Sequence, residues 1–283
     1  MVVKASGVGY EDDMLMDHVL AAARPDALKI YWDVDAPATL AELRSNAGHT
    51  LHRQLSKVDL VLTYGGGEPV VYGYRAFGAR ECIPIYNALD PETHHPVAPE
   101  GRFTCDLGFL GNRLPDREAR VDDFFFRAAA MSPKQTFLLG GSGWDDKPMS
   151  PNVRYIGHVP TRDHNAFNVT PKAVLNISRA SMAENGFSPA TRVFEAAGAG
   201  ACLITDAWVG IDFFLKEGEE VLVARDGQEV AEILAGLDPE WARTIGERAR
   251  ARILRDHTYA HRAAEVDRII TNFFRSRRVE AAE

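Results

Sequence analysis

Residues 183–206 read AENGFSPATRVFEAAGAGACLITD, and this stretch decides the fold. Ser188 is a residue type that caps helices by accepting from first-turn amides, and Pro189 suits the first helical position because its missing N–H is not needed there. A helix is therefore expected over Pro189–Gly198. Gly198 and Gly200 end it, and the apolar run Ala201–Thr205 follows as a buried strand. A helix turning straight into a buried strand is half of a parallel βαβ unit. The first turn, with Ala190 and Thr191, leaves amides unpaired at the positive end of the helix dipole, a natural anion site. Arg192 sits one turn in, where a guanidinium can meet phosphate. Glu195 lies further along, where a carboxylate can accept two hydroxyls of a ribose. The plainer alternative is an amphipathic helix whose Arg192 and Glu195 are solvated.

Moving upstream, Leu107–Arg120 reads LGFLGNRLPDREAR. A strand over Asp106–Leu110 runs into Gly111, Asn112 and Arg113, and a helix follows over Asp116–Ala130. Arg113 and Arg117 occupy a strand-to-helix loop that aims them at the binding crevice, and guanidinium groups match phosphate through paired planar donors. The competing reading pairs them with Asp116, Glu118 and Asp122 along a surface helix. Further strands are expected over Thr136–Leu139, Val153–Ile156, Ala173–Ile177 and Glu220–Val223. The loops Gly140–Trp144 (GGSGW) and Gly157-His158-Val159 fall where ligand contacts occur, although tight turns need glycine in any case. Helices fill Gly227–Leu237 and Pro239–Asp256, and a last one, Ala260–Phe274, carries Ala263, Val266, Ile269, Ile270 and Phe273 on one face.

The first hundred residues repeat the alternation with strands at Val2–Ser6, Leu28–Asp33, Val58–Tyr64 and Cys82–Tyr86, and a helix over Asp12–Ala23. The proline-rich DPETHHPVAPEGR at 90–102 reads as a linker. The chain is thus α/β, with two Rossmann-like domains: residues 1–100, short of strands and so incomplete at its start, then 101–256, with a C-terminal helix, 257–283, packing back toward the first domain.

The segments FLGNR (109–113), NVRYIGHV (152–159), SPATRVFEAAGAGACLITD (188–206) and FFLKEGEEVLVA (213–224) resemble the CgeB-type spore-maturation glycosyltransferase-like family, of GT-B fold and the glycosyl transferases group 1. YWDVDAPATL (31–40) and YNALDP (86–91) lend support from the first domain. The resemblance implies a glycosyltransferase that binds a nucleotide-sugar donor through Gly111, Asn112, Arg113, Arg117, Gly157, His158, Val159, Ser188, Ala190, Thr191, Arg192 and Glu195, with the acceptor on the first domain. In that picture Glu195 holds the ribose, Arg113 and Arg117 stand near the diphosphate, and 157–159 lies beside the base. No cofactor or metal is implied. Many such enzymes carry two glutamates eight positions apart; the position eight before Glu195 here is Phe187, and the nearest acid is Glu184. The rivals are a sugar-nucleotide epimerase and a degenerate member that binds without turnover.

Composition narrows the field. With 32 Lys+Arg against 40 Asp+Glu the net charge is −8, which disfavours a nucleic-acid partner and leaves any anion to a local site. Three separated cysteines fit a reducing, cytoplasmic setting, and neither a signal peptide nor a membrane-length apolar run is present. Gly7-Val8-Gly9 follows a strand, but Asp12 replaces the third glycine of a dinucleotide fingerprint. Asp33 and Asp35, after a strand, are general-base candidates that compete with an ordinary Asx turn at Pro37; His94, in the linker, is a third catalytic candidate. Gly65-Gly66-Gly67 suits either close backbone approach or a strand-to-helix turn. His257 and His261 stand four apart but lack a third ligand nearby, and Arg275, Arg277 and Arg278 with Glu280 and Glu283 read as a solvated tail.

Overall fold

Short β-branched runs bounded by turn residues become strands, and in the computed structural model, which describes residues 1–7 and 9–280, all ten expected strands form. Val8 and Glu283, named above, lie outside the described residues. The chain divides into two units, one of residues Met1–Asn87 with Ser181–Ser188, the other of Ala88–Ala180 with Pro189–Glu283.

In the first unit the elements run β1 (Val2–Ala5), α1 (Asp12–Ala22), β2 (Lys29–Asp33), α2 (Ala36–Ser45), α3 (Leu51–Gln54), β3 (Leu60–Thr63), α4 (Gly67–Ala76) and β4 (Cys82–Pro84). Their strands pair in parallel in the order β1-β2-β3-β4. β3 is buried along its length, as a strand covered on both faces must be, whereas β1 alternates between partly buried and exposed positions at the sheet edge. The core gathers Leu20, Leu40, Val61, Val70 and Tyr74.

The second unit runs β5 (Leu107–Leu110), α5 (Glu118–Val121), α6 (Ala128–Met131), β6 (Phe137–Gly140), β7 (Val153–Tyr155), α7 (His164–Val169), β8 (Ala173–Asn176), α8 (Ala180–Asn185), α9 (Thr191–Ala199), β9 (Leu203–Asp206), α10 (Ile211–Phe214), β10 (Leu222–Ala224), α11 (Gly227–Gly236), α12 (Pro239–Asp256) and α13 (Tyr259–Glu280). All but the first residue of α8 belong to the first unit. The sheet order is β10-β9-β8-β5-β6-β7, parallel throughout. Strand order reverses between β5 and β8, so the crevice of this doubly wound sheet opens at their carboxyl ends.

Three expectations are corrected. The helix expected over Asp116–Ala130 begins at Glu118 and widens to a π-helical stretch, Asp122–Arg127, between α5 and α6. The wider turn lets the adjacent Phe124 and Phe125 both enter the core. The segment expected as a linker, 90–102, is tied to the second unit: Glu100 N–H donates to Thr170 Oγ1 at 2.9 Å and Asn165 Nδ2 to Thr93 O at 2.9 Å. Ser188 does not cap α9. The cap position is Ala190, still extended at ψ 151, and the helix starts at Thr191 rather than Pro189. The Ser188 hydroxyl donates instead to Gly186 O at 3.0 Å.

The turn before Ser188 explains the triple glycine. Gly66 N–H donates to Phe187 O at 2.7 Å, and a Cβ on Gly67 would stand 2.7 Å from the Phe187 ring. Gly66 itself has φ 97, and a Cβ there would meet Val70 Cγ2 at 1.9 Å. Gly66→Ala is expected to destabilise the protein by at least about 2 kcal/mol, through left-handed strain and that clash, and so to lower the thermal midpoint. A buried histidine supplies a second test. His257 lies against Phe194, Phe213 and Phe214 and accepts from Arg262 Nη2 at 2.8 Å. Burial first, then Arg262 and Arg252, push its pKa down to about 4 from 6.5. The unfolded chain then binds the extra proton, so stability is complete above pH 6.5 and falls toward pH 4, by on the order of 3 kcal/mol. His257→Gln is expected to flatten that slope in urea titrations across this window.

Candidate functional site

The crevice of the second unit is built from the loop after β5, the loop after β8 and the amino end of α9. Two devices fix the loops. Gly111, Asn112 and Arg113 are laced to the glycine-rich loop after β6: Ser142 N–H donates to Asn112 Oδ1 at 2.9 Å, Arg113 N–H to Ser142 O at 2.9 Å, and Trp144 Nε1 to Gly111 O at 2.8 Å. Gly141, at φ 119, allows this approach, since a Cβ there would meet Gly111 O at 2.2 Å. The GGSGW loop therefore buttresses its neighbour. Across the switch point, Arg179 Nε pairs with Asp116 Oδ2, and Ala180 N–H donates to Asp116 O at 3.0 Å. Below it, Arg120 reaches Asp206 at 2.6 Å and Ser178 O at 3.1 Å. Asp206 is fully buried; burial raises its pKa and Arg120 works against that.

The expected arginines separate. Arg113 is committed to two carboxylates, Glu118 at 2.6 Å, one of the partners named in the competing reading, and Asp146 at 2.7 Å, from the loop after β6 and outside that reading. Arg113 and Lys147 hold Glu118 down at about 2. Arg117 behaves differently. It lies over the Phe109 ring, 5.7 Å from its centroid, and donates through Nη2 to Asn112 O at 2.5 Å, while its Nε is buried without a partner. Burial pushes its pKa down, Asp116 works against that, and Arg192 and Arg179 push the same way as burial.

Arg192 is its like-charged neighbour on α9. Burial lowers its pKa, opposed by Glu195, whose Oε2 lies 3.8 Å from Nη2. Nη1 donates to Asn168 Oδ1 at 3.3 Å. Around this pair stand residues that spacing alone did not bring together. His94 Nε2 lies 3.9 Å from Glu195 Oε1, with Nδ1 buried and unpartnered. Asn168, 1% exposed, leaves Nδ2 unpartnered. His164 contacts Val159 O at 3.2 Å, and burial, then Arg192, holds its pKa low. α9 opens without a side-chain cap; Val193 N–H is taken by Ala190 O at 3.0 Å, and the amides of Thr191 and Arg192 stand ahead of it at the positive end of the helix. An anion of two or more charges would satisfy these donors together.

The other expected residues are dispersed. Gly157 takes φ 70 with open space at its Cβ, His158 is exposed, and Val159 is buried in a local cluster with Leu138 and Phe167. Thr191 is exposed and Ala190 partly buried. Ser188 is buried in the first unit against Gly65. Asp33 is fully buried there too: it accepts from Tyr74 Oη, from Thr39 Oγ1 at 3.1 Å and from Asp35 N–H at 3.1 Å, and so anchors the start of α2 by Asx chemistry. His257 and His261 make separate local contacts, with Arg262 and Thr258. Among the described residues no three His, Cys, Asp or Glu side chains converge as metal ligands, and no helix is long and apolar enough to cross a membrane.

A family profile described as glycosyl transferase-like matches residues 117–268. No curated protein matches the chain. Among solved structures, sucrose-phosphate synthase from Thermosynechococcus elongatus is similar with a TM-score of 0.67 at 15% identity, covering 94% of this chain and 72% of its own. HepE from Anabaena in complex with UDP-glucose gives 0.68 at 15% identity, over 93% of this chain and 76% of its own. The same protein with UDP gives 0.69 at 16%, over 92% and 76%. These likenesses are of fold, and they match the GT-B arrangement of parallel α/β sheets.

The two buried guanidiniums give a direct test. Pyrophosphate is expected to raise the thermal midpoint of the protein, and Arg117→Met or Arg192→Met to abolish that rise, in a scan that includes inorganic phosphate and chloride at equal ionic strength. A rise of the same size in both variants removes this cluster as the anion site.

Proposed function

The chain belongs to the glycosyl transferase-like family, and we propose from that premise that it moves a glycosyl group from a nucleotide-sugar to an acceptor. The observation that carries the reading is the neighbouring pair Arg117 and Arg192, two largely buried guanidiniums, with Arg117 Nε, Asn168 Nδ2 and His94 Nδ1 buried and without partners around them. A sugar–nucleotide diphosphate supplies the missing charge. When the glycosyl bond breaks, negative charge grows on the departing diphosphate, and donors already in place stabilise it without reorganising. Arg117, Arg192 and the open first turn of α9 are those donors in this reading.

Glu195 accepts the ribose hydroxyls, with His94 and Arg192 fixing its carboxylate. Gly157, with its open positive-φ turn, and the exposed His158 border the base. The stretch SPATRVFEAAGAGACLITD supports the finer assignment to the CgeB type. HepE, of similar fold, was crystallised with UDP and with UDP-glucose, which makes uridine diphosphate sugars the first donors to try. A second reading, binding without turnover, draws on Arg113 being spent on Glu118 and Asp146 and on Phe187 standing where a second glutamate is common.

Incubation with a panel of nucleotide-sugars is expected to release nucleoside diphosphate. Sugar altered but still attached to the nucleotide indicates epimerisation, and thermal protection without product indicates a binding protein. Glu195→Ala is expected to weaken nucleotide binding by about tenfold or more, the loss of one or two charge-assisted hydrogen bonds. Unchanged affinity removes Glu195 from the site.

A further inference from the structure

Resting on the nucleotide-sugar reading above, we propose that the base of the donor is guanine, read by Asp163 in a small cavity of the second unit beside Val159. The cavity has a volume of about 130 Å³, and Arg102, Phe103, Arg154, Ile156, Val159 and Asp163 line it. Sites for whole ligands are larger, so this one has room for a single flat ring system whose remainder lies outside it. Its position suits a base. His164, the residue after Asp163, contacts Val159 O at 3.2 Å and lies within the field of Arg192 and Glu195. Asn168, which accepts from Arg192 at 3.3 Å, stands further along α7, about 7 Å from Asp163 at roughly 1.5 Å per residue. A ribose bridges such a gap. A base at Asp163, hydroxyls at Glu195 and phosphates at Arg192 then follow one line.

Each wall supplies a group that guanine uses. The Arg102 guanidinium lies over the Phe103 ring, 4.4 Å from its centroid, and is held by Glu100 at 2.6 Å and Asp163 at 3.2 Å. With its side chain 52% exposed, it offers a fixed, open surface on which a base can stack. Asp163 is 15% exposed, and its N–H closes a turn onto Pro160 O at 2.8 Å. Arg102 meets Oδ2, whereas Oδ1 has Arg162 at 3.9 Å, beyond hydrogen-bond distance. That carboxylate therefore keeps acceptor capacity in a largely buried position. Guanine presents two adjacent N–H donors, at N1 and N2, which a carboxylate accepts together; uracil presents one, and adenine turns an acceptor toward it. Arg154 donates through Nη2 to Arg102 O at 2.7 Å and keeps further donors for the O6 and N7 edge of the purine. The UDP bound to HepE does not decide the base here, because that likeness is of fold.

Guanosine, uridine and adenosine diphosphates, titrated calorimetrically into the full chain, test the assignment. The guanosine form is expected to bind at least about tenfold tighter than the uridine form, the discrimination that one bidentate pair provides, with the adenosine form weakest. Asp163→Asn exchanges one acceptor for a donor. It should weaken guanosine diphosphate by about tenfold or more and make xanthosine diphosphate the preferred ligand, since xanthine has a carbonyl where guanine has its amino group. A reversed base preference is a result that a merely structural role of Asp163 does not produce. Uridine diphosphate binding as tightly as guanosine diphosphate, or a variant that keeps the parent's preference, overturns the guanine assignment and leaves the donor reading standing. If no nucleotide binds the parent chain, both fall. The comparison in the parent chain decides even where the variant does not fold.

Discussion

Two like-charged guanidiniums, Arg117 and Arg192, held away from bulk water with Asp116 and Glu195 set against them, are the constraint around which the second unit is arranged. Like charges in such a place repel and lose hydration, so the fold has to hold them there. It does so from two directions. Arg117 is fixed by the loop after β5, which the GGSGW loop and the Asp116–Arg179 pair brace on either side. Arg192 is fixed by α9, whose apolar face, Val193, Phe194, Ala196 and Ala197, is wholly buried. Gly246 permits the close packing of α12 at the end of α9, since a Cβ there would meet Gly200 O at 2.1 Å. The stability of the scaffold thus sustains an unfavourable local arrangement that a polyanion would relieve.

The fold was legible because each of its strands is a short apolar run closed by turn chemistry, and because parallel strands buried on both faces carry no competing pattern. Boundaries at the active end were less legible, and the reason is local. Ser188-Pro189 has the composition of a helix start, but the Ser188 hydroxyl is drawn back to Gly186 while Phe187 docks its carbonyl on Gly66. A tertiary contact from over a hundred residues away outweighs a local preference, and no window around Ser188 contains it. The π-helical widening at Asp122–Arg127 is similar: Phe124 and Phe125 are both buried there, yet the sequence shows only a good helix.

At the site, residue type marked Arg117, Arg192 and Glu195 as candidates, while spacing said nothing of what would gather around them. His94, His164 and Asn168 come from a proline-rich segment and a short helix that carry no motif, and only the fold brings them to α9. Arg113 illustrates the opposite case. It sits four residues from Arg117 with the same chemistry, but Glu118 and Asp146 reach it first. Whether a loop arginine is available to a ligand depends on how many carboxylates the surrounding loops present, and that is a three-dimensional quantity.

The overall charge of −8 hides a division of labour. In the second unit the crevice concentrates Arg117, Arg179 and Arg192 against Asp116 and Glu195, whereas in the first unit the surface at the carboxyl ends of β1 and β2 carries Glu11, Asp12, Asp13, Asp35 and Glu42 among neutral and apolar residues. Opposite local fields of this kind attract a polyanion to one surface and repel it from the other. The two fields differ in reach: Glu11, Asp13 and Glu42 are exposed and screened by salt, whereas Arg117 and Arg192 are largely removed from water and screened less. The net acidity of the chain is the remainder between these opposed surfaces, and it describes neither of them.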